Sequence, residues 1–289
     1  MVRLQTGERL HYLEWTGAAG IPIVLIHDLT RTAWTWLPVA RRLALHHPVL
    51  APDLRGHGAS DAPLTGYHLE SLALDVLTVV AGAGWGEAVD GPRVVVAGHG
   101  LGAMIAVEMA RLQSASIAAV ALLDGGWEEM VEATRMLPDQ LVEAMAEPPE
   151  VLASMETYLT DRRDFDPASW DVDQEAAARA QVTVKHAGHV GLVTKGSIIR
   201  RCVEAMYGYR PLQALPQVGC PISVLVAGAA TADDEDERER QLALEDGQAA
   251  RRAAGLEPMH VCRFDAVGHD LMRYRPVEVV AELERLAGA

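Results

Sequence analysis

Val94-Val95-Val96-Ala97-Gly98-His99-Gly100-Leu101-Gly102 is the stretch whose reading decides the fold. Four consecutive apolar residues, three of them β-branched, suit a strand covered on both faces. The glycines at 98, 100 and 102 then mark a tight turn in which backbone must approach backbone closely. From Leu101 towards Arg111 apolar residues return at helical spacing. A buried strand passing through a sharp turn into a helix puts residue 100 at the tip. Its occupant, a glycine, offers no side chain.

The same rhythm extends to both sides. Arg9 to Thr16 alternates like a half-buried antiparallel strand, and Ile21 to His27 is a short continuous apolar run. A helix is predicted from Trp34 to Leu45, a strand at Val49 to Pro52, and a glycine-containing loop from Asp53 to Asp61. Tyr67 to Ala83 has helical spacing, and Ile117 to Leu123 is the next strand. Later come a strand at Ile222 to Val226, a helix from about Asp234 to Ala254, a strand at Met259 to Phe264, and a helix ending near Leu286. Strands alternating with helices imply an α/β fold with a mostly parallel sheet and ligands at the carboxyl ends of its strands. The alternation lapses between Trp127 and Leu212, a stretch with Pro148-Pro149 and Met130, Met136, Met145, Met155 and Met206. The expected organisation is a core of residues 1–126 and 213–289, with a mostly helical lid inserted at 127–212.

The chain of 289 residues is long enough for one sizeable core, and 49% hydrophobic residues exclude a disordered or fibrous class. A formal net charge of -15 disfavours nucleic acid as a partner. Cys202, Cys220 and Cys262 are far apart and form no CxxC, which suits thiols in a reducing compartment. No signal-like N-terminus or membrane-length apolar run is evident, so the expected location is cytoplasmic. The expected partners are a small-molecule substrate and at most a second copy of the chain, as a homodimer. Neither a Walker loop nor a dinucleotide fingerprint is present, so no cofactor is expected. His186 and His189 lack a third ligand and do not make a metal site.

These features together resemble the α/β-hydrolase superfamily. The resemblance covers the core on both sides of the lid. It rests on Leu25-Ile26-His27, on Pro52 through Asp61, on the 98–102 turn, and on Gly268-His269-Asp270 after the last strand. It implies that the 98–102 turn is a nucleophile elbow, with Gly100 at the position of the usual serine. It places the catalytic histidine at His269 and the oxyanion-hole donors at the backbone N–H groups of Leu29 and Leu101. Asp28 is a second departure, since most members have glycine there.

The acid partner of His269 is left open between Asp124, which ends the strand Ile117 to Leu123, and Asp233, which follows Ile222 to Val226. Asp233 begins the run Asp233-Asp234-Glu235-Asp236-Glu237, which equally suits the acidic first turn of a helix. Candidates for touching substrate are His27, Trp34, His99 and Met130. For His27, His57 and His99 the competing use is orienting loops, and for Trp34 and Trp36 it is core packing.

The expected activity is an enzyme acting without a serine nucleophile on a small, largely apolar ester, lactone or other carbonyl compound. His269 would be the general base and the two amides would hold the developing negative charge, by direct hydrolysis or by lyase-, decarboxylase- or isomerase-type proton transfer. The competing readings are a serine esterase inactivated by a Ser-to-Gly change at position 100 and a non-catalytic ligand-binding pseudoenzyme. The sign of the last would be a pocket closed at Gly100, or Asp28 salt-bridged across the oxyanion site.

Overall fold

The computed structural model describes residues 1–16, 19–85, 93–228 and 235–288. Seven strands form the central sheet: β1 (Tyr12–Trp15), β2 (Ile23–Ile26), β3 (Val49–Pro52), β4 (Val94–His99), β5 (Ile117–Leu123), β6 (Ile222–Gly228) and β7 (His260–Asp265). Their spatial order is β7-β6-β5-β4-β2-β3-β1. Every neighbouring pair is parallel except β1 with β3. This is the α/β-hydrolase fold that the sequence resembles.

Alternation along the buried strands divides the core in two. Val94 and Val96 of β4 join Val24, Ile26, Val120 and Leu122 on one face. Val95 and Ala97 join Ile23, Leu25, Ala119 and Ala121 on the other. Successive side chains of a strand point to opposite faces, and helices here cover both. The first face carries α2 (Leu69–Gly82) and α3 (Leu101–Leu112); the second carries α1 (Leu37–Leu43) and the C-terminal helix Pro276–Ala287.

Three expectations shift in detail. The predicted strand from Arg9 to Thr16 is broken, with Arg9–Leu10 pairing to Val2–Arg3 in a small hairpin and Tyr12–Trp15 joining the main sheet. The helix expected from Trp34 opens as a tighter turn at Ala33–Trp36 before α1, whose Pro38 suits a helix start. Between β5 and β6 the chain forms short helices together with a hairpin, Val182–Val184 against Val190–Leu192. Among the described residues no helix is long and apolar enough to cross a membrane.

Candidate active site

Four strand ends supply the site. In register, Gly98 of β4 lies beside Ile26 of β2, and His99 beside Leu123 of β5. One or two residues beyond these ends stand Asp28, Gly100 and Asp124; His269 follows β7 in the loop before the helix Leu271–Tyr274. The sheet register thus brings together residues that are up to 241 positions apart in the chain.

Gly100 has φ 53° and ψ −113°, a conformation that only glycine adopts without strain. Close packing also fixes Gly98, where a Cβ would lie 2.0 Å from the Gly102 carbonyl oxygen. A Cβ on Gly100 would lie 2.0 Å from Asp28 Oδ1. The place where an elbow side chain would begin is therefore filled by the Asp28 carboxylate.

That carboxylate is held at both oxygens. The Leu101 N–H donates to Oδ1 at 2.6 Å, and His269 Nε2 is 3.5 Å from Oδ2. Burial opposes ionisation of Asp28. The bond to His269, the nearby imidazoles and the Leu101 N–H overcome this and hold the carboxyl well below its ordinary range. The Leu101 amide, expected as an open oxyanion donor, is thus occupied. Among the described residues the Leu29 amide has no hydrogen-bond acceptor, while the Leu29 carbonyl accepts from His57 Nε2 at 2.6 Å.

His269 donates through Nδ1 to Asp124 Oδ2 at 2.6 Å. Partial desolvation at the cavity floor disfavours the imidazolium, but the hydrogen bonds and charges of Asp124 and Asp28 outweigh it and lift the pKa to about 10. The ring is therefore protonated at neutral pH, where the sequence reading has it as a free base. Asp124 sits at φ 44° and accepts at Oδ1 from the Ala227 N–H at 3.0 Å and from Arg240 Nη2 at 2.6 Å. Burial opposes its charge, yet His269 and Arg240 hold its pKa at about 2. Asp124 is the acid in contact with His269, and Asp233 lies outside the described residues.

Above these groups is a cavity of about 280 Å³. Asp28, Gly100, Asp124 and His269 form its floor, with Arg240 and Glu128 at one side. Its remaining wall is apolar and includes Met104, Met130, Leu141, Met145 and Met206. Of the four residues expected to touch substrate, only Met130 lines this cavity. His27 is fully buried, with Nδ1 donating to the Asp28 carbonyl and Nε2 accepting from the Leu54 N–H, so it fixes the loop as a neutral ring. His99 is buried beneath His269, with ring centroids 4.2 Å apart, and its Nε2 donates to the His269 carbonyl at 3.1 Å. Trp34 is half-buried in the turn before α1, away from the cavity.

Arg240 and Glu128 escaped the sequence reading. Arg240 lies within a charged helical run that looks like an ordinary solvated face, and no local pattern tells that it turns inward. Potential metal ligands on Asp28, His99 and His269 come within 4.8 Å of one another. Here a protonated His269 bridges Asp28 and Asp124, and together with Arg240 it balances their two negative charges within the protein.

The profile of the α/β hydrolase family matches residues 23–283. A soluble epoxide hydrolase from Corynebacterium sp. (strain C12) is 37% identical over 100 residues, which are 35% of this chain and 32% of that protein. The match thus spans about a third of that relative. A non-heme chloroperoxidase from Streptomyces lividans is 26% identical over 231 residues, covering 77% of this chain and 79% of its own. The crystal structure of E-2-(acetamidomethylene)succinate hydrolase superimposes with a TM-score of 0.77 at 17% identity, over 98% of this chain and 96% of that one. With that profile spanning nearly all of the central sheet, this chain is a member of the α/β hydrolase family.

Proposed function

We propose that this protein is a hydrolase in which the Asp28 carboxylate replaces the elbow nucleophile, and that it opens small epoxides to diols. The observation that carries this reading is the position of Asp28 Oδ1, 2.0 Å from the Cβ site of Gly100 and 2.6 Å from the Leu101 amide nitrogen. Similarity to the Corynebacterium soluble epoxide hydrolase supports the substrate class.

The chemistry follows from which groups are already engaged. Direct attack of water on a carbonyl requires a neutral imidazole and a free Leu101 amide, and Asp28 takes up both. A carboxylate attacking an ester would form a reactive anhydride. Attacking a strained epoxide carbon instead forms an ordinary ester and relieves the ring. In that step Asp28 Oδ2 bonds to carbon, the carbon–oxygen bond of the ring breaks, and the released alkoxide takes the proton of His269 Nε2.

Esterification then changes His269. One of the two carboxylates that raised its pKa has become neutral, so the imidazole is left deprotonated and able to accept a proton from water. Hydroxide adds to the Asp28 ester carbon, and the oxyanion forms at the atom bonded to the Leu101 N–H. Collapse breaks the acyl–oxygen bond, and the departing alkoxide takes the proton of the newly formed Asp28 carboxyl group and leaves as the diol. Asp28 returns as carboxylate and His269 as imidazolium, so epoxide plus water gives diol.

A non-catalytic reading has its own sign here, since Asp28 does bridge the oxyanion amide and His269. The open cavity above the pair and the half-exposed His269 side chain favour catalysis. A single turnover of 1,2-epoxybutane in H₂¹⁸O tests the choice. The expected result is ¹⁸O in the peptide containing Asp28 and unlabelled oxygen in the diol. Label appearing directly in the diol, or no diol at all, overturns the reading.

A further inference from the structure

We propose that Glu128 is the recognition end of the cavity, donating a hydrogen bond from its carboxyl group to an acceptor oxygen of the substrate, and that the substrate is accordingly a neutral molecule. This deepens the function proposed above and rests on the same cavity as the substrate site.

Most polar groups that line the cavity are already committed to protein partners. Asp28, His269 and Asp124 are bound to one another. Arg240 spends Nη1 on the Ala227 carbonyl and Nη2 on Asp124. In the apolar wall the Thr134 hydroxyl donates to the Met130 carbonyl and lies 3.0 Å from the Tyr207 hydroxyl. Among the described residues Glu128 is held more loosely, by a single long contact to Arg240. It lines the cavity, is 8% exposed, and its nearest charged partner is Arg240 Nε at 3.4 Å.

The charges explain what such a group does. Asp28 and Asp124 are balanced by His269 and Arg240, so an ionised Glu128 would be an unmatched third carboxylate in a confined space. Burial, reinforced by Asp124 and Glu237 and opposed by Arg240, pushes the Glu128 carboxyl up to about 7. A protonated carboxyl is a donor, whereas an ionised one only accepts. An anionic substrate would bring a charge for which the cavity has no free cation among the described residues, since His269 and Arg240 are already paired. A neutral ether or epoxide oxygen is the better match.

Binding measured without turnover tests this independently of the Asp28 chemistry. The probes are tetrahydrofuran, a neutral acceptor, and butyrate, an anion of similar size, titrated by heteronuclear NMR at pH 6 and pH 8.5. Ionisation centred near pH 7 should weaken tetrahydrofuran binding about thirty-fold between these values. Glu128→Gln keeps a donor that does not titrate, so its affinity should stay constant across the range. Glu128→Leu should bind weakly at both values, and butyrate should bind the native protein more weakly than tetrahydrofuran. Tetrahydrofuran binding that is independent of pH in the native protein overturns the proposal. So does butyrate binding as tight as that of tetrahydrofuran, or a Glu128→Gln variant that keeps the native pH dependence. Failure of ¹⁸O to enter Asp28, with these binding results intact, would overturn the nucleophile assignment alone.

Discussion

Asp28 and Gly100 share one site: the Asp28 carboxylate fills the space that a side chain at position 100 would enter, with Oδ1 2.0 Å from the missing Cβ. Two departures from the family pattern are therefore one structural exchange, in which the side chain leaves the elbow and returns from the neighbouring strand end. This predicts how the single and double variants differ. Gly100→Ser alone forces a side chain into left-handed backbone and against Asp28, costing about 1–3 kcal/mol of stability. It should show no burst with p-nitrophenyl acetate. Gly100→Ser combined with Asp28→Gly frees the Leu101 amide and places a hydroxyl near His269, so a burst is expected from the double variant. A burst from the single variant would show that Asp28 yields its place readily.

Replacing Asp28 with asparagine preserves shape and removes the charge. An amide does not attack an epoxide, so turnover should fall by about 10³-fold or more. His269 loses one of the two partners that lift its pKa to about 10, while Asp124 remains. Imidazole nitrogen shifts followed by NMR should show a titration moved down towards the ordinary histidine range. An unchanged titration would mean that Asp124 alone sets the charge on His269.

How much of this was legible in the sequence differs by element. The strand Val94 to Ala97 and its glycine turn announce themselves because a two-sided buried strand and a strained tip restrict composition severely. His269 was legible from its loop, and Asp124 from its place at the end of a buried strand. Asp28 stood out as a departure from the family pattern and a candidate for reaching the oxyanion site, but not for the role of filling the elbow. Its partners, Leu101 and His269, are 73 and 241 positions away, and only the sheet register brings them together. The charge on His269 was not legible for the same reason, since it depends on two carboxylates meeting one ring. His27 and His99 look like site residues by proximity in sequence, but their side chains face into the protein beneath the site.

Arg251 gives a stability test outside the cavity. It is almost completely buried, and its guanidinium donates to the carbonyls of Glu257, Leu215, Val218 and Cys220, with distances from 2.8 to 3.4 Å. It ties together the segment that leads into β6. Arg251→Met fills similar space but abandons these acceptors, each expensive to leave unpaired inside the protein. A loss of roughly 3 kcal/mol or more is expected in urea denaturation. The rate per folded molecule should be unchanged, and a fall in that rate would tie the segment to catalysis.

The same buried charges predict how stability varies with pH. His269 is raised to about 10, so its contribution is complete below its unfolded value near 6.5 and is lost as pH rises through 10. His27 and His99 are lowered to about 4, chiefly because burial disfavours their charged forms. Their contributions are complete above pH 6.5 and disappear as pH falls towards 4. Glu128, raised to about 7, works against them: its contribution is present below 4.5 and is lost between 4.5 and 7 as pH rises. Two histidines against one carboxyl leave stability still falling on the acid side, while above pH 6.5 Glu128 and His269 both lose, so the maximum should lie near pH 6 to 6.5. Urea midpoints measured from pH 4.5 to 9.5 should decline on both sides. In Asp28→Asn the alkaline decline should flatten, because His269 then gains less from folding. A native curve that keeps rising above pH 8 would contradict an imidazolium held between Asp28 and Asp124.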